Sequence, residues 1–216
     1  QEKGSSYLED GRAESTAETT QETQSRSGRG NSEQGAEYPN HVCSYDFVED
    51  RIERGGKLRI LAIIDEYTRE CLTIRVEPSM PASGVVEMLE WLFLTHGVPK
   101  FLRSDNGPEF VARAVCRWLE TSGCQTLFIT PGSPWENGYI ESFFDKLRDE
   151  CLNREVFRNG REAQIIVENR RQEYNNYRPH SSLGYLTPVE FARRYYEKNR
   201  VKEVRQPVEK AGSLSL

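Results

Sequence analysis

The chain has 216 residues and a net charge of −5, a length typical of one domain with appendages. No stretch approaches the 18 apolar residues of a membrane span, and no basic segment followed by an apolar run opens the chain. The cysteines are odd in number and have no paired short spacing, so they predict neither a disulfide framework nor a zinc site. We therefore expect a protein of the reducing cytoplasm.

The first 37 residues differ in composition from the rest. They contain four basic and eight acidic residues, and Tyr7 and Leu8 are their only large apolar side chains. Such a segment cannot bury enough apolar surface to offset the entropy lost on ordering. The sequence thus predicts a disordered acidic tail over 1–37, a core over 38–199 and a flexible tail over 200–216.

The net charge and its distribution do not identify the binding partner. Residues 38–216 carry a net charge of only −1, which is unusual for a nucleic-acid binder. From residue 146 onward, however, 15 Lys or Arg residues stand against 10 Asp or Glu residues. A run of this kind is more often a solvated helical face than a binding surface.

Three strands come first in the predicted order of elements. Apolar residues alternate in part over 44–53, Gly55-Gly56 signals a hairpin, and two further strands follow over 58–64 and 71–76. Three strands with tight connections predict an antiparallel meander.

Helices then alternate with short strands. A helix opens at Pro81 and ends at Gly97, a strand precedes Ser104, and a helix opens at Pro108 and ends at Gly123. A strand over 126–129 is followed by helices over about 136–152, 161–177 and 188–198. The order predicts an α/β domain with a mixed sheet flanked by helices, in which the parallel strands are joined by helical crossovers.

Three acids are candidates for a metal site. Asp105 follows an apolar strand, where ligands bind in α/β sheets, and Asp46 lies inside the first predicted strand. Glu141 shares one helix face with Asn137 and Arg148. If the acids converge, they would offer a hard oxygen site suited to Mg²⁺ or Mn²⁺. The alternatives are a turn aspartate, a strand residue facing water and a solvated glutamate.

Segments 40–47, 103–110 and 133–143 resemble bacterial insertion-element transposases, and most of all those of the third insertion-sequence family. Their catalytic half resembles a retroviral integrase core. The 35 residues between Asp105 and Glu141 match the spacing of that family, and Arg148 matches its basic position. Residues 174–175, 178–185 and 187–188 match its C-terminal signature. The resemblance covers about 39–195.

The resemblance implies a ribonuclease H-like fold and metal-dependent DNA strand cleavage and strand transfer. It implies that Asp46, Asp105 and Glu141 are catalytic and hold two Mg²⁺ or Mn²⁺ ions. Arg148 would contact DNA phosphate, and Asn137 would touch DNA or support the metal-binding helix. The expected partners are DNA (element ends and target) and either a second copy of the chain or a DNA-recognition subunit. The expected place is the cytoplasm, at the nucleoid.

Two positions depart from the family pattern. Cys43 stands where the family usually has Trp, at a position that we interpret as packing. The acidic tail stands where family members carry a DNA-binding helical region. We therefore expect the chain to lack site-specific recognition of element ends, as a truncated or rearranged copy or one that depends on another subunit would.

Two other functions share part of this pattern. The chain could be an inactive relic that acts only as a DNA-binding module, or a ribonuclease H-type nuclease. All three acids are present, which favours retained chemistry, and the motifs around Asp105 and Glu141 favour the transposase.

Several further residues carry their own expectations. Asp65, Glu66 and His180 are predicted to be structural, and Glu109 is predicted to lie in the first turn of a helix. DNA affinity is expected to come from a local patch, made of Arg148, Arg170, Arg171 and Arg178.

Overall fold

The three leading strands form the predicted antiparallel meander. The computed structural model describes residues 35–205, and its first strands are β1 (Val42–Arg51), β2 (Lys57–Asp65) and β3 (Cys71–Glu77). β1 pairs with β2 and β2 with β3, both antiparallel. Residues 1–34 and 206–216 lie outside the described part, and with them nearly all of the predicted acidic tail and most of the predicted C-terminal tail.

Two parallel strands extend the sheet on the other side of β1. β4 (Phe101–Ser104) pairs with β1, and β5 (Gln125–Phe128) pairs with β4. The helical crossovers are α1 (Ala82–His96), which ends at Gly97 with a φ of 82°, and α2 (Arg113–Thr121). The strand order is β3-β2-β1-β4-β5, so the predicted mixed α/β sheet is confirmed.

Three helices follow the last strand. A short 3-10 turn leads into α3 (Gly138–Leu147), which continues as one π-helical turn over Arg148–Leu152. α4 spans Gly160–Asn176 and begins where the Asn159 side chain accepts a hydrogen bond from the Glu162 amide, 3.0 Å away. α5 spans Pro188–Arg205 and thus extends past residue 199, where the sequence predicted the core to end.

The sheet buries an apolar core on each face because side chains alternate along its strands. On one face, Cys43, Tyr45 and Leu61 pack against α1 and α2. On the other, Val48, Ile60 and Ala62 pack against α3 and α4. Cys43 is fully buried, which confirms that its position is a packing position.

The segment after β4 differs from the prediction. The helix expected from Pro108 begins only at Arg113, so Glu109 is not in its first turn, and that prediction is wrong. Phe110 is buried and packs against Tyr45 and Phe47, with ring centroids 4.3 and 5.2 Å away. Because this ring enters the core, residues 107–111 make a turn, and Glu109 forms an ion pair with Arg59 at 2.6 Å.

Within residues 35–205, no helix is long and apolar enough to cross a membrane. All five cysteines (Cys43, Cys71, Cys116, Cys124 and Cys151) have free thiols, as their spacing predicted. Four of them are buried, in agreement with a role as small core residues.

Candidate catalytic site

Asp46 lies in the middle of the central strand β1, on the face that α3 covers. Val48, two residues further along, packs in the core beneath α3 and α4, and side chains two apart in a strand share a face. β1 runs parallel to β4, with Val42 opposite Phe101 and Ser44 opposite Arg103. Extending this register by two residues brings Asp46 beside Asp105.

Asp105 directly follows β4 and is held in a tight turn. Its Oδ1 accepts a hydrogen bond from the Gly107 amide at 2.8 Å, and its side chain is half-buried. A Cβ on Gly107 would lie 2.9 Å from that same oxygen, closer than side-chain atoms tolerate. Glycine at 107 therefore lets the chain turn back against the carboxylate and fix its orientation.

Asn137 and Glu141 bring the start of α3 to the same place. Asn137 is 2% exposed, and its Nδ2 lies 3.4 Å from Asp46 Oδ2. Glu141 comes four residues later, one helical turn further along the same face, and its side chain is exposed. The Oδ1 of Asn137 is buried and has no hydrogen-bond partner among the described residues.

The charges of the three acids influence one another. Burial, and then the nearby carboxylates of Asp105 and Glu141, raise the pKa of Asp46 to about 6 against the lowering effect of the Phe47 amide. That amide donates to Asp46 Oδ1 at 2.6 Å. Asp46 and Asp105 therefore lie on neighbouring strands beside Asn137, and Glu141 lies one turn further along on α3.

The donor chemistry of this group fits a divalent cation, although the carboxylates are not yet gathered around one point. Carboxylate oxygens are the ligands that Mg²⁺ and Mn²⁺ prefer. Among the described residues, no three Asp, Glu, His or Cys side chains lie close enough to hold a metal ion as they stand. The neighbouring carboxylates raise the pKa of Asp46 by electrostatic repulsion. A bound cation would relieve this repulsion and would draw the three carboxylates together.

The basic residues divide into one free arginine and three paired ones. Arg148 is exposed, and within residues 35–205 no hydrogen bond or ion pair joins it to another side chain. Arg170 and Arg178 both pair with Glu150, the former at 2.5 Å, and Arg171 pairs with Glu168 at 2.7 Å. The patch expected from these four arginines is therefore largely neutralised by glutamates that the charge count did not locate.

The acids at the end of β2 are structural, as predicted. Asp65 accepts hydrogen bonds from the Asn40, Tyr67 and Thr68 amides at 2.6, 2.7 and 3.1 Å. Glu66 is 1% exposed and forms an ion pair with Arg103 at 2.8 Å. This buried pair links β2 to β4 across β1, and nothing in the sequence indicated Arg103 as its partner.

Comparison with known proteins identifies the domain type. Residues 36–134 and residues 122–188 each match a family described as integrase core domain. A 39.2 kDa protein of insertion element IS476 from Xanthomonas euvesicatoria is 40% identical over 73% of this chain and 45% of its own length. The IS407 protein of Burkholderia multivorans is also 40% identical, over 73% and 57%, and the transposase InsF of IS3A from Escherichia coli is 25% identical, over 71% and 54%.

The chain therefore spans about half the length of the curated relatives that it matches. Solved structures agree with the fold. The catalytic core domain of BIV integrase superimposes with a TM-score of 0.55 at 21% identity, covering 76% of this chain and 99% of that one. The HTLV-2 integrase core in complex with magnesium gives 0.53 at 14%, over 74% and 99%. The expected ribonuclease H-like fold is confirmed.

Proposed function

Because this chain belongs to the integrase core domain family and is similar to insertion-element proteins, we propose that it catalyses metal-dependent cleavage and joining of DNA strands. The observation that carries the proposal is the pairing of β1 with β4, which sets Asp46 beside Asp105, under the start of the helix that bears Glu141. The three acids come from three separate elements, and the pKa of Asp46 responds to the other two. Asp65 and Glu66 are instead held by three backbone amides and by Arg103, which fits a structural role.

The three acids would hold two Mg²⁺ or Mn²⁺ ions. Two such ions, when bound, activate a water or a 3′ hydroxyl and stabilise the leaving oxygen of an in-line phosphoryl transfer. Asp46 and Asp105 are fixed by strand register and by the Gly107 turn, so they supply an oriented pair of oxygens. The magnesium complex of the HTLV-2 integrase core supports the choice of metal.

Arg148 and Asn137 have different roles in this proposal. Arg148 is exposed two turns beyond Glu141 on the same side of the helix, where its guanidinium can bind a DNA phosphate. Asn137 is buried and directed at Asp46, which supports a positioning role over direct contact with DNA.

A branched duplex that mimics a joined product tests the catalytic core without knowledge of element ends. The reaction is reversible in principle, so a competent core should resolve the branch by transferring the 3′ hydroxyl strand back. We expect resolution in Mg²⁺ or Mn²⁺ and none after chelation. Resolution without metal, or none under any metal, would contradict the proposal.

The proposed partners are DNA and a second copy of the chain. The HTLV-2 integrase core is described in dimeric and trimeric forms, which supports self-association here. Sedimentation of the chain across a concentration series would test it, and a single species with the monomer mass throughout would contradict it. A separate DNA-recognition subunit would instead appear as sequence-specific binding only when a partner protein is supplied.

A further inference from the structure

A cavity of about 650 Å³ lies between α3 and the loop that follows α4. Gly138, Ser142 and Lys146 line it from α3, and because they are four residues apart they share one helical face. Ser142 directly follows Glu141, so this face is turned about 100° from the one that bears the glutamate. The cavity and Glu141 thus lie on adjacent faces of α3.

Most of the side chains that line the cavity are basic, hydroxylic or aromatic. Arg69, Lys146 and Arg178 contribute three positive charges, and none of the twelve lining residues is acidic. Serine hydroxyls at 142, 181 and 182 add hydrogen-bond donors. A concave surface with this composition is selective for an oxyanion.

The cations at the cavity influence the pKa of neighbouring basic groups. Burial, and then the charge of Arg178, lower the pKa of Lys146. Burial, and then the charges of Arg178, Lys146 and Arg69, lower the pKa of His180 to about 4. Glu150 pairs with Arg178, but it does not line the cavity. A bound anion would offset the positive charge of these groups.

Aromatic rings stand at the same cavity. Trp135 is 74% exposed and Tyr139 is 42% exposed, and both line it. The Arg69 guanidinium lies over the Tyr139 ring at 3.7 Å, which holds this cation at the wall. Exposed aromatic rings next to phosphate-binding cations are the arrangement that proteins use for unpaired nucleotides, since every base can stack on such a ring.

We propose that this cavity binds one unpaired DNA strand beside Glu141, with a backbone phosphate among Arg69, Lys146 and Arg178 and a base on Trp135. The inference rests on the proposed function only in taking DNA as the ligand. A single strand fits better than a duplex because stacking on Trp135 needs a base whose face is free. The shared helix then leads the strand from the cavity towards Glu141.

The test is binding of a short fluorescein-labelled oligothymidine strand to the full chain, followed by anisotropy. In Lys146→Gln one phosphate contact is lost, so affinity should fall about fivefold at about 0.1 M salt and the loss should vanish near 1 M. Arg117→Gln, which removes an exposed cation of α2, is the matched control and should bind like the wild type. Equal losses in both variants, or none in Lys146→Gln, would overturn the proposal.

Trp135→Ala tests base stacking separately from phosphate binding. Because the ring is mostly exposed, the fold should tolerate the change. Its loss of affinity should be at least about fivefold and, unlike that of Lys146→Gln, should persist at high salt. Equal affinity for a duplex of the same length would contradict strand binding. Because the assay needs no chemistry, intact binding by a chain that fails to resolve a branched duplex counts against the catalytic proposal alone.

Discussion

The Asn137 side-chain amide reaches Asp46 Oδ2 across 3.4 Å and so joins the first turn of the glutamate helix to the central strand. The separation is long for a hydrogen bond, and Asn137 Oδ1 is buried without a partner in the described part of the chain. Asn137 is also the residue that precedes α3, so its position sets where the helix begins relative to the sheet. One side chain thus couples the placement of Asp46 to that of Glu141.

Replacing Asn137 should therefore impair catalysis by disturbing the positions of Asp46 and Glu141. We expect Asn137→Ala to lower branch resolution by about 10- to 100-fold, the usual cost of removing a group that orients a metal ligand. The deficit should shrink as Mg²⁺ is raised, which a purely structural defect would not do. Asn153→Ala, an exposed asparagine after the π-helical turn, is the control. An Asn137→Ala chain with normal activity and normal Mg²⁺ dependence would remove Asn137 from the site.

Glu141 and Asp145, two exposed acids on α3, allow a matched comparison. Glu141→Gln should abolish strand transfer, because it removes a charge that the metal ions require, while melting temperature stays unchanged. Asp145→Asn removes an equally exposed carboxylate one turn away and should leave activity intact. Activity retained in Glu141→Gln, or lost in both, would contradict the assignment.

Asp46→Asn should be inactive too, but its stability should be equal to or above that of the wild type. The reason is that burying an ionised carboxylate without a cation is costly, and the amide avoids this cost. Thermal melting in chelator, alongside branch resolution in Mg²⁺, separates the two effects. A large drop in melting temperature would show that Asp46 is a structural residue.

The fold could be predicted from the sequence because its signals are local. Gly55-Gly56 marked the first hairpin, and Gly97 ended α1, where the observed φ of 82° favours glycine. The prediction of where α2 begins was wrong, because a tertiary contact outweighed the local sequence signal. Pro108 is a good first residue of a helix, yet the burial of Phe110 against Tyr45 delays α2 until Arg113.

The acids of the proposed site could be selected from the sequence, but the residues around them could not. Motif spacing selected Asp46, Asp105 and Glu141, and the parallel pairing of β1 with β4 could be expected from the helical crossover. Ion pairs between distant residues leave no such pattern, so the pairing of Arg170 and Arg178 with Glu150 was not foreseen. The cavity beside α3 was missed for the same reason, since Arg69 lies far from the C-terminal signature in sequence.

Asn175, in the C-terminal signature, is expected to stabilise the fold. It is 2% exposed, and its amide both donates to the Cys71 carbonyl and accepts from the Cys71 amide, each at 2.9 Å. Asn175→Ala removes the side-chain acceptor of the buried Cys71 amide, at a cost of about 1–3 kcal/mol, while the Cys71 carbonyl still accepts from the Arg171 guanidinium at 2.7 Å. Chemical denaturation should show a loss of this size. The exposed neighbour Asn176, changed to Ala, should cost much less, and equal losses would contradict this account.

The pH dependence of stability should carry a contribution from His180. Burial and the charges of Arg178, Lys146 and Arg69 lower its pKa to about 4 in the folded chain, against about 6.5 when unfolded. As pH falls from about 6.5 towards 4, the unfolded chain takes up a proton at this histidine and the folded chain does not, so stability decreases over that window.

His180→Gln removes this contribution. Buried carboxylates with raised pKa, such as Asp65 and Glu66, act in the opposite direction in both chains and cancel in the comparison. The free energy of unfolding, measured by denaturant at a series of pH values, should therefore fall more steeply on acidification in the wild type than in His180→Gln. Parallel curves would show that His180 titrates alike in both states and that the three cations do not act on it.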